Sequence, residues 1–359
     1  MDFLELLRFS IDEQAVAPAK GETDWEELLA QAKRQTLTGV MYHGIERLPS
    51  ELQPDKKMKL RWYMLAEKRR KKNEKTNAVA VELTTLLEKA GIGNCILKGQ
   101  GNALLYSNPF SRTPGDIDVW IDSRKVVVRN GELWLGDERL RVKKKSYRHI
   151  EVGKYHDVLV EVHTRPSFMN NLIHNHRLQQ WFDQEYERQF SHSVELPKGA
   201  GRIYVPTDDF NVIYQLCHIN NHFFYEGIGL RQIIDYYLLL KKARDVDRDR
   251  TTQLLKRFGL YKMAGAVMYV ESELLGLDKA YLIAPVNRKA GELLYRDIML
   301  SGNFGKFDER RIKDLGKLGK NIDRTRRDLR LLRTFPSECL WEPVFRVYHF
   351  LWRLLYGNI

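Results

Sequence analysis

Apolar residues recur at helical spacing towards both ends of this chain and form short strand-like runs only in its middle. Leu4, Leu6, Leu7 and Ile11, and then Leu28, Leu29 and Ala32, are spaced to line helix faces. A polar, basic stretch runs from Lys56 through Lys68-Arg69-Arg70-Lys71-Lys72 to Leu86-Leu87-Glu88 and predicts one long helix. Its Lys/Arg cluster reads most simply as a solvated face, with a phosphate-contacting face as the sharper alternative. From Gly91 the pattern changes. Asn94-Cys95-Ile96-Leu97 is a short apolar strand, broken by Lys98-Gly99-Gln100-Gly101 and followed by a short helix, Asn102–Tyr106. Strands are expected at Val126–Val128, Leu133–Leu135 and Leu140–Val142, with a hairpin turn at Asn130-Gly131, and again at Val158–His163. From about Arg177 the chain reads as mostly helical. One helix starts at Thr207, the expected N-cap, and stops at Gly227 and Gly229; a second runs from Leu230 to about Lys242. There is no internal repeat and no low-complexity tract.

One polar feature interrupts the apolar middle. In Gly115-Asp116-Ile117-Asp118-Val119-Trp120-Ile121 two carboxylates stand two residues apart on a β-branched run. Residues i and i+2 of a strand share a face, so Asp116 and Asp118 repel unless a cation lies between them. Mg²⁺, a hard ion held by a few carboxylates and substrate phosphates, fits that need. Glu161 and His163 share one face of the later strand, where a Glu is costly to bury unless it is paired or bound to metal. If the two strands are neighbours, three carboxylates converge; the alternative is that Glu161 pairs with a basic residue at a sheet edge. Lys98-Gly99-Gln100-Gly101 lies between strand and helix, where glycine lets the backbone approach a phosphate. It is not a Walker A loop. Lys98 and Arg112 are candidate phosphate contacts, although Arg112 could instead pair with the carboxylates.

The helix after Thr207 carries Asn211, Gln215, His218 and His222 as one polar stripe, and Arg231 and Asp235 stand four apart on the next helix. The stripe either lines a cleft facing the carboxylates or forms a buried network, with Arg231–Asp235 a structural ion pair. A zinc site is disfavoured: His218-x-x-x-His222 lacks the Glu of H-E-x-x-H and has no obvious third ligand. At the C-terminus the basic run Arg324–Arg330 leads to Phe345–Leu355, an amphipathic helix with a wide apolar face. Such a helix usually packs on its own domain; otherwise it docks on an anionic membrane surface or on a protein partner.

Composition sets bounds. The chain has 359 residues, 43% of them hydrophobic, with a formal net charge of +12, so it can bury substantial cores and favours anionic partners. The three cysteines, Cys95, Cys217 and Cys339, are far apart, which argues against a disulfide framework. No signal peptide is legible at the N-terminus and no stretch is apolar enough to span a bilayer, so a cytoplasmic protein is expected.

Taken together, Leu97-Lys98-Gly99, Arg112, Gly115-Asp116-Ile117-Asp118 and Val160-Glu161-Val162-His163 resemble an uncharacterised bacterial nucleotidyltransferase family of the DNA-polymerase-β-type superfamily. The stretch from Phe210 to Tyr237 resembles that family's helical part, and the likeness covers roughly residues 75–245. It implies an α+β fold, a small mixed β-sheet nucleotidyltransferase core flanked by N-terminal and C-terminal helical regions. The expected division is residues 1–90, 91–166 (the core), 167–300 (a helical domain closing the cleft) and 301–359. The resemblance further implies two Mg²⁺ ions on Asp116, Asp118 and Glu161, and a nucleoside triphosphate donor. The expected nucleotide contacts are Lys98, Gly99, Gln100, Gly101, Arg112, His163, His218, His222 and Arg231. The acceptor, a hydroxyl on a small molecule, sugar, protein or RNA, is left open. Two departures stand out: Lys98-Gly99 replaces the superfamily's commoner Gly-Gly or Gly-Ser, and a charged, strand-rich segment follows Asp122 where a helix would normally cross the sheet. The second motivates an alternative, a catalytically silent module that binds nucleic acid or a protein through its basic surface.

Overall fold

A computed structural model describes residues 1–136, 138–244, 246–310 and 316–356. Three short helices open the chain, α1 (Phe3–Ile11), α2 (Trp25–Arg34) and α3 (Thr38–Arg47). Asp2 and Asp24 start the first two by accepting the backbone N–H of Glu5 and Glu27. The basic stretch is a single 34-residue helix, α4 (Lys56–Lys89), without Gly or Pro and capped by Asp55. Arg70 pairs with both Glu67 and Glu74 on its surface, the i,i+3 and i,i+4 partners that support a long exposed helix. This helix joins two cores: Met58 and Trp62 enter the helical core, and Val79, Ala80, Leu83 and Leu87 enter the core beneath the sheet.

The middle of the chain is β1 (Asn94–Ile96), α5 (Gln100–Ala103), β2 (Ile117–Ile121), β3 (Val127–Arg129), β4 (Glu132–Leu135), β5 (Glu138–Arg141), β6 (Lys144–Lys145), β7 (His149–Tyr155) and β8 (Val158–His163). Five of these strands form the main sheet in the order β1-β2-β8-β7-β6. Only β2 and β8 are parallel in it. A parallel pair needs a crossover connection. Here the crossover is the separate antiparallel sheet β3-β4-β5, followed by β6 and β7, rather than a helix. Asn130 and Gly131 both have positive φ (54° and 74°), as the hairpin between β3 and β4 requires. Strand β7 escapes the sequence pattern because His149, Glu151 and Lys154 interrupt its apolar residues and a bulge between Glu151 and Gly153 breaks the alternation.

The remainder is α6 (Leu172–Ser191), β9 (Ser193–Leu196), β10 (Gly201–Tyr204), α7 (Asp208–Tyr225), α8 (Leu230–Lys242), α9 (Arg248–Arg257), α10 (Tyr261–Tyr269), α11 (Arg288–Ser301), α12 (Lys317–Leu332) and α13 (Pro336–Tyr356). The antiparallel hairpin β9-β10 interrupts the stretch expected to be mostly helical; Leu196, Ile203 and Val205 bury against α4 in the core beneath the sheet. Thr207 does occupy the N-cap of α7, but its hydroxyl bonds Asp209 (2.7 Å) and Gln189 (3.1 Å) rather than a helix N–H.

Two packing features position the strand that bears the carboxylates. Trp120 on β2 stacks on Phe210 of α7 with ring centroids 5.7 Å apart, and Phe190 meets its edge at 4.9 Å. Helix α3 presses on the loop that leads into β2: a Cβ on Gly39 would lie 2.3 Å from the carbonyl oxygen of Ser111. Only glycine permits that approach. Gly39→Ala should therefore overpack the contact and destabilise the protein by about 1–3 kcal/mol, read as a lower urea midpoint at unchanged m-value. An unaltered midpoint would show that the loop gives way freely.

Candidate active site

Parallel pairing sets Asp118 opposite Glu161 and Trp120 opposite His163. Asp116 lies one residue before β2 on the same side as Asp118. One oxygen each from Asp116, Asp118 and Glu161 lie within 4.8 Å of one another. Asp118 is the buried member. Its Oδ1 faces Nε2 of His163 at 2.8 Å, and Lys98 Nζ stands 3.0 Å from its Oδ2. The two cations therefore approach Asp118 at different oxygens.

The ionisation pattern follows from these neighbours. Asp118 pushes the Asp116 carboxyl above its usual range, burial adds to the effect, and Lys98 only partly offsets it. Burial also disfavours a charged Asp118, but the Lys98 ammonium and the His163 bond outweigh it and hold the carboxyl far below its usual range. For Glu161, burial is likewise overcome by the bond to His163. His163 itself is raised: burial opposes its charge, and Asp118 and Glu161 favour it more. Its Nδ1 faces the Arg165 carbonyl at 3.3 Å. Both nitrogens thus face acceptors, as an imidazolium's would.

A narrow cleft adjoins Asp116, lined among others by Lys98, Gly99, Asn102, Arg112, Gln215, His218 and Arg231. Gly99 turns the chain out of β1 with φ 64° and ψ −104°, a conformation costly for other residues. The loop does not deliver its next two residues to the cleft. Gln100 bonds Asn77 of α4, and Gly101 lies against Val205, which a Cβ would meet at 2.9 Å.

The Arg231–Asp235 ion pair, one of the two alternatives for these helices, gives way to another. Asp235 accepts two hydrogen bonds from Arg112, from Nε and Nη2, both at 2.7 Å, and a third from the Tyr106 hydroxyl at 2.7 Å. A bidentate fork satisfies both carboxylate oxygens at once. Arg231 instead donates to the Thr113 carbonyl at 2.9 Å. Nη1 of Arg112 and Nε of Arg231 are buried without a hydrogen-bond partner. The stripe on α7 divides. Gln215 and His218 line the cleft, with His218 Nε2 3.3 Å from Lys98 Nζ. His222 bonds Glu226 at 3.1 Å and lines a neighbouring pocket, and Asn211 is buried in neither.

Sequence reasoning passed over His149, whose Nδ1 is 3.7 Å from Glu161 and which lines that second pocket. It also passed over Asn102, which accepts from Gln215 at 3.0 Å within the cleft. His149 stands on the bulged strand that the pattern does not reveal, and no local signal marks Asn102.

The residues suit a hard divalent cation. Three carboxylates converge, each offering an oxygen within 4.8 Å of the others. Asp116 and Asp118 also repel. His149, Glu161 and His163 form an overlapping cluster. It suits a metal less well, since Nε2 of His163 is committed to Asp118.

A family model described as an uncharacterised nucleotidyltransferase matches residues 21–276. Comparison with curated proteins and with solved structures finds no match.

Two outcomes test the electrostatics. Removing the Asp235 carboxylate leaves Arg112 buried and uncompensated, so Asp235→Ala should cost about 3–5 kcal/mol of stability in urea unfolding. A loss below about 1 kcal/mol would show that Arg112 finds water instead. His218 is held well below its ordinary value of 6.5, by burial first and then by Lys98. The unfolded chain therefore takes up a proton that the folded one refuses. The stability involved is present above 6.5 and lost as pH falls. His218→Asn should shrink the stability difference between about pH 7 and pH 5 by up to about 2 kcal/mol; an unchanged difference would refute the assignment.

Proposed function

Because the chain belongs to this uncharacterised nucleotidyltransferase family, we propose that it is a Mg²⁺-dependent enzyme that moves a nucleoside monophosphate from a nucleoside triphosphate to a hydroxyl acceptor. The observation that carries the reading is the convergence of Asp116, Asp118 and Glu161 beside a cationic cleft. Asp116 and Asp118 would hold two ions, and Glu161 the one nearer the acceptor. Bound there, the ions would supply Lewis-acid stabilisation of the phosphoryl charge and acidify the acceptor hydroxyl.

The chain's own residues account for the rest. Lys98, the unpartnered Nη1 of Arg112 and the unpartnered Nε of Arg231 give the cleft an excess of positive donors, suited to the β- and γ-phosphates. Gln215 and His218 offer further polar contacts, His218 beside Lys98. Glu161, kept ionised through His163, stands between this cleft and the second pocket, which His149, Arg148, Tyr147, Phe168 and Phe345 help to line. That pocket suits the acceptor, since an in-line attack needs the incoming oxygen on the side away from the departing pyrophosphate. In the reaction a bond forms between the acceptor oxygen and the α-phosphorus. The bond from that phosphorus to the bridging oxygen breaks, pyrophosphate leaves with the electron pair, and the hydroxyl proton passes to Glu161 or solvent.

The test is incubation with each α-labelled nucleoside triphosphate, Mg²⁺ and a cell extract as acceptor source. Transfer of label with release of pyrophosphate is expected, and Asp118→Asn should lower it by at least about 100-fold. Calorimetry with Mg²⁺ and triphosphate should show heat for the wild type and none for the Asp116→Ala/Asp118→Ala double variant. Equal heats in both would remove the proposal.

A further inference from the structure

Helix α13 presents its apolar face outward. The residues it buries include two carboxylates, Glu338 and Glu342, beside Cys339 and Phe345. Facing solvent are Leu340 (63% exposed), Val344 (46%), Val347 (60%), Leu351 (52%), Leu354 (57%) and Leu355 (73%). The first five are spaced four, three, four and three apart, so they form one line along the helix. Tyr348 and Phe350, also exposed, widen it on either side. No charged residue falls on this face. Arg346 turns back to pair with Glu342, and Arg353 lies about 140° round the helix from Leu340 at 3.6 residues per turn. An amphipathic helix that serves only its own core points the other way.

The flank of this face is basic. The neighbouring helix α12 exposes Ile322 and Leu329 together with Arg326 and, just beyond its end, Arg333, while Arg324 lines the second pocket and Arg330 pairs with Asp297. Between residues 317 and 356 there are nine Lys and Arg against four Asp and Glu. Of those four acids, Asp328, Glu338 and Glu342 are buried. The exposed charge of the α12–α13 pair is therefore almost wholly positive.

We infer that the outward face of α13 docks on an anionic phospholipid bilayer, with the apolar line entering the headgroup boundary and the α12 arginines meeting the lipid phosphates. A wide uncharged apolar face with a basic rim is the combination that interfacial binding needs. A second copy of this chain is the weaker occupant. Pairing two copies along α13 would set like-charged α12 rims together, and the face is wider than the two positions per heptad of a coiled-coil seam. Among the described residues no helix is long and apolar enough to cross a membrane, so the helix lies on the bilayer rather than spanning it. The inner face of α13 lends Glu342, Phe345, Arg346 and His349 to the second pocket. Docking would thus hold that pocket about one helix diameter, ~10 Å, from the lipid.

The experiment is co-sedimentation of the full chain with vesicles of phosphatidylcholine alone and of phosphatidylcholine mixed with phosphatidylglycerol. Partitioning into the anionic vesicles should exceed that into the neutral ones by at least about tenfold and should fall as salt is raised. Leu351→Asp/Leu354→Asp, at positions already exposed, should lower anionic partitioning by at least about tenfold, leaving the circular dichroism and Mg²⁺–triphosphate binding unchanged. Absence of wild-type binding to the anionic vesicles, or equal binding by the variant, would overturn the inference. So would sedimentation equilibrium showing a dimer that the same substitutions dissolve, since that assigns the face to a second copy.

Discussion

Parallel pairing of β2 with β8 places Asp118 directly across from Glu161, and the carboxylate centre depends on that register. A slip of one residue would turn every side chain of one strand to the other face. The register is held on the same face as the acids: Trp120, two residues beyond Asp118, is wedged among Phe190, Phe210 and Phe182 of the helical layer. The strand face that carries the acids into the cleft is thus anchored, two residues further along, by its largest apolar side chain. Since Phe210 belongs to α7, the helix that supplies Gln215 and His218 to the cleft is fixed relative to β2 by the same contact.

Concentrating three acids would be unfavourable without compensation, and the compensation is distributed. Lys98 and His163 take up the charge of Asp118 from two directions. Arg112 and Arg231 line the same cleft as Asp116, and Asp235 forms an ion pair with only the first of them. The net effect is a cleft that holds both acids and surplus guanidinium. Fixed charges of opposite sign at one cleft favour a ligand that itself carries both signs over a simple anion or cation.

Much of this was legible where the physics is local. The two-residue period of a strand is enough to place Asp116 beside Asp118 and Glu161 beside His163, and Asn130-Gly131 carries its own turn chemistry. Partners set by tertiary structure were not legible. Arg231 is the obvious sequence neighbour of Asp235, yet the bidentate partner, Arg112, lies 123 residues away. Gln100 and Gly101 look like phosphate-loop residues, but α4 and β10 claim them, and nothing in the tetrapeptide records that packing. Strand β7 hides behind polar residues and a bulge, and with it goes His149.

Helix α13 shows a further limit of patterning. Its amphipathic spacing is plain from the sequence, but periodicity identifies a face without saying whether that face points inward. The deciding facts are the buried carboxylates Glu338 and Glu342. Burial raises the Glu338 carboxyl to about 7, so a proton can replace some of the solvation that the side chain has lost. Glu342 is answered by Arg346. Backbone and side-chain amides of Asn170 and Asn171, just ahead of α6, cap this polar inner seam at Glu338 and Ser337. The inner side of α13 thus combines these polar contacts with Cys339 and with Phe345 stacked on Phe168, which fixes the helix in one rotation about its axis. With that rotation fixed, the apolar line has no route back to the core. A fold that spends buried carboxylates on holding a hydrophobic stripe in water makes physical sense only if the stripe meets another apolar surface for part of the protein's working life.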